Sequence, residues 1–232
     1  MIIYGKNTTK EVILKNRPIY KMYLDNKFQD REIINLLRKN EISFLKVSKH
    51  ELNLLTNNAV HQGIVMEVQD YESFQLEEVF TSKMKTLVLL DKIFDPQNLG
   101  AIIRTVEAFK VDGLIIAKKR QAQITPLVAK VASGALEYVK IILVDNLYQT
   151  VRKLKEQDFY IIGTSLEGEE ISLKMPLKEK NCLIMGSEGR GISYMLEKSS
   201  DVLVKIPMQG KINSLNVSVA TGILLYQLTQ KK

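Results

Sequence analysis

The sequence predicts an α/β protein with mostly parallel sheets, arranged in two domains. Three observations carry this. Nine short aliphatic-rich runs have strand length, helical patterns lie between them, and one polar stretch with an acidic centre, QDYESFQLEEVFTSKMK (69–85), interrupts the alternation. Strand and helix taking turns favour crossover connections, which bring successive strands into parallel register.

In chain order, IYKMYL (19–24), ISFLKV (42–47) and GIVMEV (63–68) read as strands, with the amphipathic helix REIINLLRKN between the first two. They predict a small N-terminal domain over 1–70. Residues 71–84 read as a linker, in which FQLEEVF has the pattern of a helical turn. The second domain, 85–232, is predicted from the runs TLVLLD (86–91), GLIIA (113–117), VKIILV (139–144), FYIIGTS (159–165), NCLIMG (181–186) and VLVKI (202–206). Helical patterns LGAIIRTVEAF, LYQTVRKLKEQ and NVSVATGILLYQLTQ separate or follow these runs.

A hydrophobic content of 45% with 25% charged residues is that of a soluble globular chain. No apolar run approaches the roughly 20 residues of a membrane span. The opening MIIYGKNTTKEV lacks the basic-then-apolar layout of a secretory signal. Cys182 is the only cysteine, which excludes an intramolecular disulfide and suits a reducing cytoplasm; its apolar surroundings predict a core position. With only His50 and His61 beside it, a structural zinc site is excluded and no metal is expected. There is no GxxxxGK[ST] phosphate loop and no GxSxG elbow. The net charge of +7, scattered along the chain, fits a polyanionic partner, of which nucleic acid is the commonest.

The unusual residues gather after strands of the second domain. In LLDKIFDPQNLGAIIRT a buried strand ends at Asp91, DPQN turns the chain, and Asn98 stands where a helix N-cap is expected. Arg104 follows among apolar neighbours. In LIMGSEGRGIS another strand runs into Gly186, Ser187, Glu188, Gly189, Arg190 and Gly191. Three glycines in six residues exceed the need of a turn and free backbone amides to face a ligand. The spacing GxxGxG is not the dinucleotide fingerprint, and Glu188 would repel a phosphate. It suits a hydrogen-bond donor or an arginine instead. In IPMQGKINSLNVSVATG the backbone from Ile206 to Leu215 would line an apolar slot suited to a nucleobase, and either Ser214 or Asn216 would cap the last helix. Ligands of open α/β sheets bind outside the carboxyl ends of strands, so the three loops predict one site.

Together, the stretch Asn98–Thr105, LIMGSEGRGIS and IPMQGKINSLNVSVATGILLYQ closely resemble, in residues, order and spacing, the three motifs of the SpoU/TrmH branch of the SPOUT methyltransferases. IYGKN near the start and HQGI at 61–64 resemble the substrate-binding domain of the RlmB-type 23S rRNA guanosine-2′-O-methyltransferases, a small α/β fold shared with some RNA-binding ribosomal proteins. Thr8 and Thr9 depart from the small or apolar residues usual there. The resemblance implies a C-terminal SPOUT domain with a parallel sheet and a deep trefoil knot, S-adenosylmethionine as cofactor, RNA as partner, and a homodimer. General topology rules would not have led to a knot.

Residue by residue, the resemblance assigns Asn98, Arg104, Glu188, Ser214 and Asn216 to catalysis. Gly186, Ile206 and Leu215 would contact the cofactor, largely through backbone, and Thr164 would line the same pocket. The implied reaction moves a methyl group from a sulfonium to a ribose 2′-hydroxyl, so alignment and proton removal are the enzyme's work. A guanidinium stays protonated, with a pKa above about 12, so Arg104 is expected to clamp a phosphate and stabilise the developing alkoxide. Asn98 and Ser214 would orient the ribose or the arginine, and Asn216 would fix the cofactor loop. Glu188 would be a structural acceptor or an anchor for Arg104. A guanosine in 23S rRNA is the expected target, with tRNA methylation or a non-catalytic RNA-binding role as alternatives.

Overall fold

The computed structural model describes residues 1–171, 177–187, 189, 191–211 and 214–230. In chain order it forms β1 (Ile2–Tyr4), α1 (Lys6–Leu14), β2 (Ile19–Asp25), α2 (Arg31–Lys39), β3 (Leu45–Val47), α3 (Lys49–Leu55) and β4 (Ile64–Val68). There follow α4 (Leu76–Thr81), β5 (Thr86–Leu90), α5 (Pro96–Ala108), β6 (Gly113–Ala117), α6 (Pro126–Ala132), a 3-10 turn (Ala135–Glu137), β7 (Ile141–Val144) and α7 (Leu147–Glu156). The chain closes with β8 (Phe159–Glu170), β9 (Lys180–Met185), α8 (Tyr194–Ser199), β10 (Val202–Lys205) and α9 (Val217–Thr229).

Packing divides the chain into two compact units, 1–72 with 124–138, and 73–123 with 139–232. Residues 124–138, which the sequence places inside the second domain, thus pack with the first unit. The reason is local chemistry. Thr125 caps α6, Pro126 presets its first turn, and Ser133 and Gly134 end it in left-handed backbone. The helix buries Val128, Ala129 and Ala132 against α1 and β1. Arg17 holds the segment's end: Nη1 donates to the buried Glu137 at 2.7 Å, while Nε and Nη2 donate to Gln69 O.

The first unit's sheet, ordered β1-β4-β2-β3, is mixed rather than mostly parallel; only β2 and β3 run parallel. The run 42–47 shortens to the three residues of β3, and β1 has too few residues to register as a sequence pattern. IYGKN and HQGI meet across this unit, where Gln62 Oε1 accepts from Lys6 N (3.1 Å) and Lys130 Nζ (2.6 Å). Burial there lowers the Lys130 pKa. Thr8 and Thr9 are buried, their hydroxyls satisfied by Ala129 O (3.4 Å) and Gly5 O (2.9 Å).

The second unit holds a six-stranded, wholly parallel sheet, β10-β8-β9-β5-β6-β7. All five residues of β5 are buried, as expected of a strand covered on both faces. Cys182, on β9, is fully buried, and desolvation pushes its thiol up to about 12, so it is inert core. Pro96 and its cap Asp95, whose carboxylate accepts from Gln97 N at 2.9 Å, start α5 one turn earlier than the sequence suggests. Asn98 therefore lies in the first turn and is not the N-cap.

His61, 6% exposed, accepts Gly63 N on Nδ1 (3.0 Å), so its proton sits on Nε2, facing Asn53 Oδ1 (3.0 Å). Burial foremost, then Lys49, lowers its pKa below the ordinary 6.5, against an opposing pull from Asp25. The unfolded chain therefore binds this proton first: the stability His61 contributes is intact above 6.5 and is lost as pH falls through the depressed folded value. Thermal melts from pH 7.5 to pH 5 are expected to show a falling Tm, with a smaller slope in His61→Gln.

Candidate active site

Three strand ends of the second unit build one cavity. β9 stops at Met185, and Gly186 turns the chain so closely that a Cβ there would collide with the backbone of Gly191 and Ile192. Only a residue without a side chain lets the loop fold back. Gly191 N then donates to Ser187 O at 3.0 Å, and Gly189 (φ 78°) and Gly191 (φ 64°) take the left-handed backbone this reversal requires.

Neighbouring strand ends pin the loop. Asp91, directly after β5, is 4% exposed; its N–H donates to Met185 O (2.8 Å) and its carboxylate accepts from Ser193 N (2.6 Å). On the other side Thr164 Oγ1 donates to Ile184 O at 3.0 Å, holding β8 against the end of β9. The third loop, leaving β10 at Lys205, adds Ile206, Met208, Ser214 and Leu215 to the same cavity.

The resulting cavity of about 390 Å3 is lined by Thr164, Gly186, Ile206, Ser214 and Leu215, five of the nine sequence-predicted site residues. Its volume is that of a small-molecule site. Asn98 and Asn216 lie outside the lining, joined to each other by Asn216 Nδ2 donating to Asn98 Oδ1 at 2.8 Å. Asn216 is also the cap of α9, its Oδ1 accepting from Ser218 N at 2.9 Å. One bond thus joins the starts of α5 and α9, which pack together further along through the edge-on rings of Phe109 and Tyr226, 6.5 Å apart. Arg104 projects from α5 to solvent and is not in the lining; Glu188 lies outside the described residues.

Two site residues escape sequence reasoning. Asp91 left a signal, an acid closing an apolar strand. Glu197, on the short α8, left none; it lines the cavity and accepts from Ser165 Oγ at 3.2 Å. The charged residues described in the lining are Glu167, Glu197 and Lys205. Among the described residues no group of three or more His, Cys, Asp or Glu could hold a metal ion, and no helix is long and apolar enough to cross a membrane.

A cavity of small-molecule size at the carboxyl ends of a wholly parallel sheet defines the second unit as a ligand-binding α/β domain, and comparison identifies both parts of the chain. Residues 85–226 match the SpoU rRNA methylase family, and residues 2–74 match the RNA 2′-O ribose methyltransferase substrate-binding family. A TrmH family tRNA/rRNA methyltransferase of Bacillus subtilis, YacO, is 33% identical over 99% of this chain and 95% of its own. Among solved structures, an AdoMet-bound rRNA methyltransferase from Sinorhizobium meliloti superposes with a TM-score of 0.81 at 22% identity, covering 99% of this chain and 86% of that one. The A. aeolicus TrmH/SpoU tRNA-modifying enzyme gives 0.57 at 33% identity, over 67% and 80% of the two chains. The chain belongs to the SpoU/TrmH family of RNA methyltransferases.

Replacing Asp91 with Ala strips the half-buried Ser193 amide of its charged acceptor, a loss of about 1–3 kcal/mol. Urea unfolding is expected to show that decrease, and Gly186→Ala a larger one, with the m-value unchanged.

Proposed function

We propose that this protein is a cytoplasmic homodimer that transfers a methyl group from S-adenosylmethionine to the ribose 2′-hydroxyl of a guanosine in 23S rRNA. The observation that carries this reading is the convergence of Thr164, Gly186, Ile206, Ser214 and Leu215 on one cavity. That cavity fits the cofactor: its floor is bare backbone at Gly186, and its volume suits a nucleoside. Bound there, S-adenosylmethionine supplies a methyl group already activated on a sulfonium.

The chain's own residues then align the acceptor and handle its proton. Asn98, held by Asn216, and Ser214 at the cavity wall orient the ribose. Arg104 clamps the adjacent phosphate and stabilises the alkoxide as it forms, and the proton leaves through that phosphate or water. The trefoil knot expected of the family would wrap these loops around the cofactor.

Arg104 is exposed and does not line the cavity of its own chain, and α9 presents an apolar stripe to solvent, Val219 and Tyr226 being half exposed on either side of Ile223. Both features fit a second copy packing on α5 and α9 and receiving Arg104 beside its own cavity. Support for rRNA over tRNA comes from coverage. The rRNA enzyme of S. meliloti is similar over 99% of this chain, and the tRNA-modifying enzyme over 67%.

Incubation with labelled S-adenosylmethionine and total RNA from a strain lacking the gene tests the reading. Label in 23S rRNA is expected; label in tRNA selects the alternative target, and RNA binding without label a non-catalytic role. Arg104→Ala is expected to lower kcat about 100-fold or more with cofactor affinity kept, by analogy with loss of one oxyanion donor. If Arg104→Lys retains near-normal turnover with its pH profile moved toward the lysine range, Arg104 is the base instead. Tyr226→Glu is expected to sediment as a monomer and lose transfer.

A further inference from the structure

Outside the cavity, two loops of the second unit form an exposed, basic ledge. Residues 91–95 link β5 to α5, and residues 118–123 leave β6. One bond joins them, Ala122 N donating to Ile93 O at 2.8 Å, and Lys118 N ties the second loop to the end of β7 by donating to Val144 O at 2.9 Å. Gln123 Nε2 donates to Ala117 O at 3.2 Å. Ile93 and Ala122 are buried beneath this seam, whereas Phe94, one residue along, is 64% exposed.

The cations on the ledge stand out in the same way. Lys92 (φ 59°) and Arg120 (φ 63°) take left-handed backbone, a conformation that disfavours long side chains and persists where the surroundings impose it. Both are exposed, as is Lys119. The carboxylates of the two loops are engaged elsewhere, Asp91 on Ser193 N and Asp95 as the α5 cap, while Asp145 neutralises Lys118 at 2.9 Å. The four cations Lys92, Lys118, Lys119 and Arg120 outnumber the three carboxylates Asp91, Asp95 and Asp145, so the ledge stays net positive, with Lys92, Lys119 and Arg120 turned to solvent. The loop that carries Phe94 runs directly into the helix bearing Asn98 and Arg104.

We propose that this ledge grips unpaired nucleotides flanking the one to be methylated, with Phe94 as a stacking platform for a base and Lys119 and Arg120 contacting phosphates. An exposed aromatic among cations that, Lys118 apart, have no carboxylate partner among the described residues is the combination that binds single-stranded RNA: the ring accepts any base face, and the cations follow the phosphates. The inference rests on the RNA-methyltransferase reading and adds a substrate contact outside the three motif loops.

Phe94→Ala, Phe94→Tyr and Arg120→Asn test it, Asn being chosen because it tolerates left-handed backbone. The readouts are KM for total rRNA in the methyl-transfer assay, Kd for a short fluorescent single-stranded oligoribonucleotide of mixed sequence, and sedimentation. Phe94→Ala is expected to raise both constants about fivefold or more, with Phe94→Tyr restoring them. Arg120→Asn is expected to raise both and to reduce the slope of log affinity against log salt by about 0.7. Unchanged KM and Kd in Phe94→Ala and Arg120→Asn would overturn the proposal. So would a rise that accompanies conversion of dimer to monomer, because a second copy would then cover the ledge. Wild-type protein that methylates neither rRNA nor tRNA would sink the functional reading itself, and this one with it.

Discussion

The site depends on one close approach: the α-carbon of Gly186 against the backbone of Gly191 and Ile192. A parallel sheet ends in a row of strand termini whose loops ordinarily diverge. Here the loop after β9 doubles back on itself, and that reversal puts Ser193 within reach of Asp91 and leaves a concavity between β8, β9 and β10. Packing supplies the framework, since β5 and β9 are almost wholly buried, but a single missing side chain converts a sheet edge into a receptacle. The carboxylate of Asp91 and the hydroxyl of Thr164 then hold the rim from opposite sides.

Around that receptacle the chain separates two tasks. The cavity wall combines glycine backbone at Gly186, Gly189 and Gly191 with apolar side chains such as Met185, Ile192, Ile206 and Leu215, a lining that selects by shape. The residues proposed to handle the acceptor, Asn98 and Arg104, ride on α5, a helix fixed by its own cap and by its packing against α9. The bond between Asn98 and Asn216 is where the two meet, because Asn216 at once caps α9 and closes the loop that forms the cavity's third side.

Much of this was legible in the sequence, for physical reasons. Buried parallel strands are unmistakable apolar runs, so β5 through β10 were all read, and glycine clusters after such strands marked the loops. Errors fell where pattern is short or chemistry competes. β1 is three residues long. The start of α5 was misplaced because Asn98 is a good cap by type, while Asp95 followed by proline is a better one by position. Glu197 was invisible because α8 has only six residues and no periodic face. The affiliation of 124–138 was unreadable for a different reason: apolar periodicity reports that a segment is buried, never against which neighbour.

That last segment has a consequence for the chain's connectivity. Because 124–138 is sewn into the first unit while its flanks belong to the second, three covalent crossings join the two, near 72, 123 and 138. Scission in the 71–84 region would therefore not liberate the amino-terminal part. The fragment would stay clamped to the rest through Arg17, Glu137 and the buried face of α6. Conversely, an excised carboxyl-terminal half would carry a naked greasy patch, and its poor solubility would say nothing about whether its sheet folds.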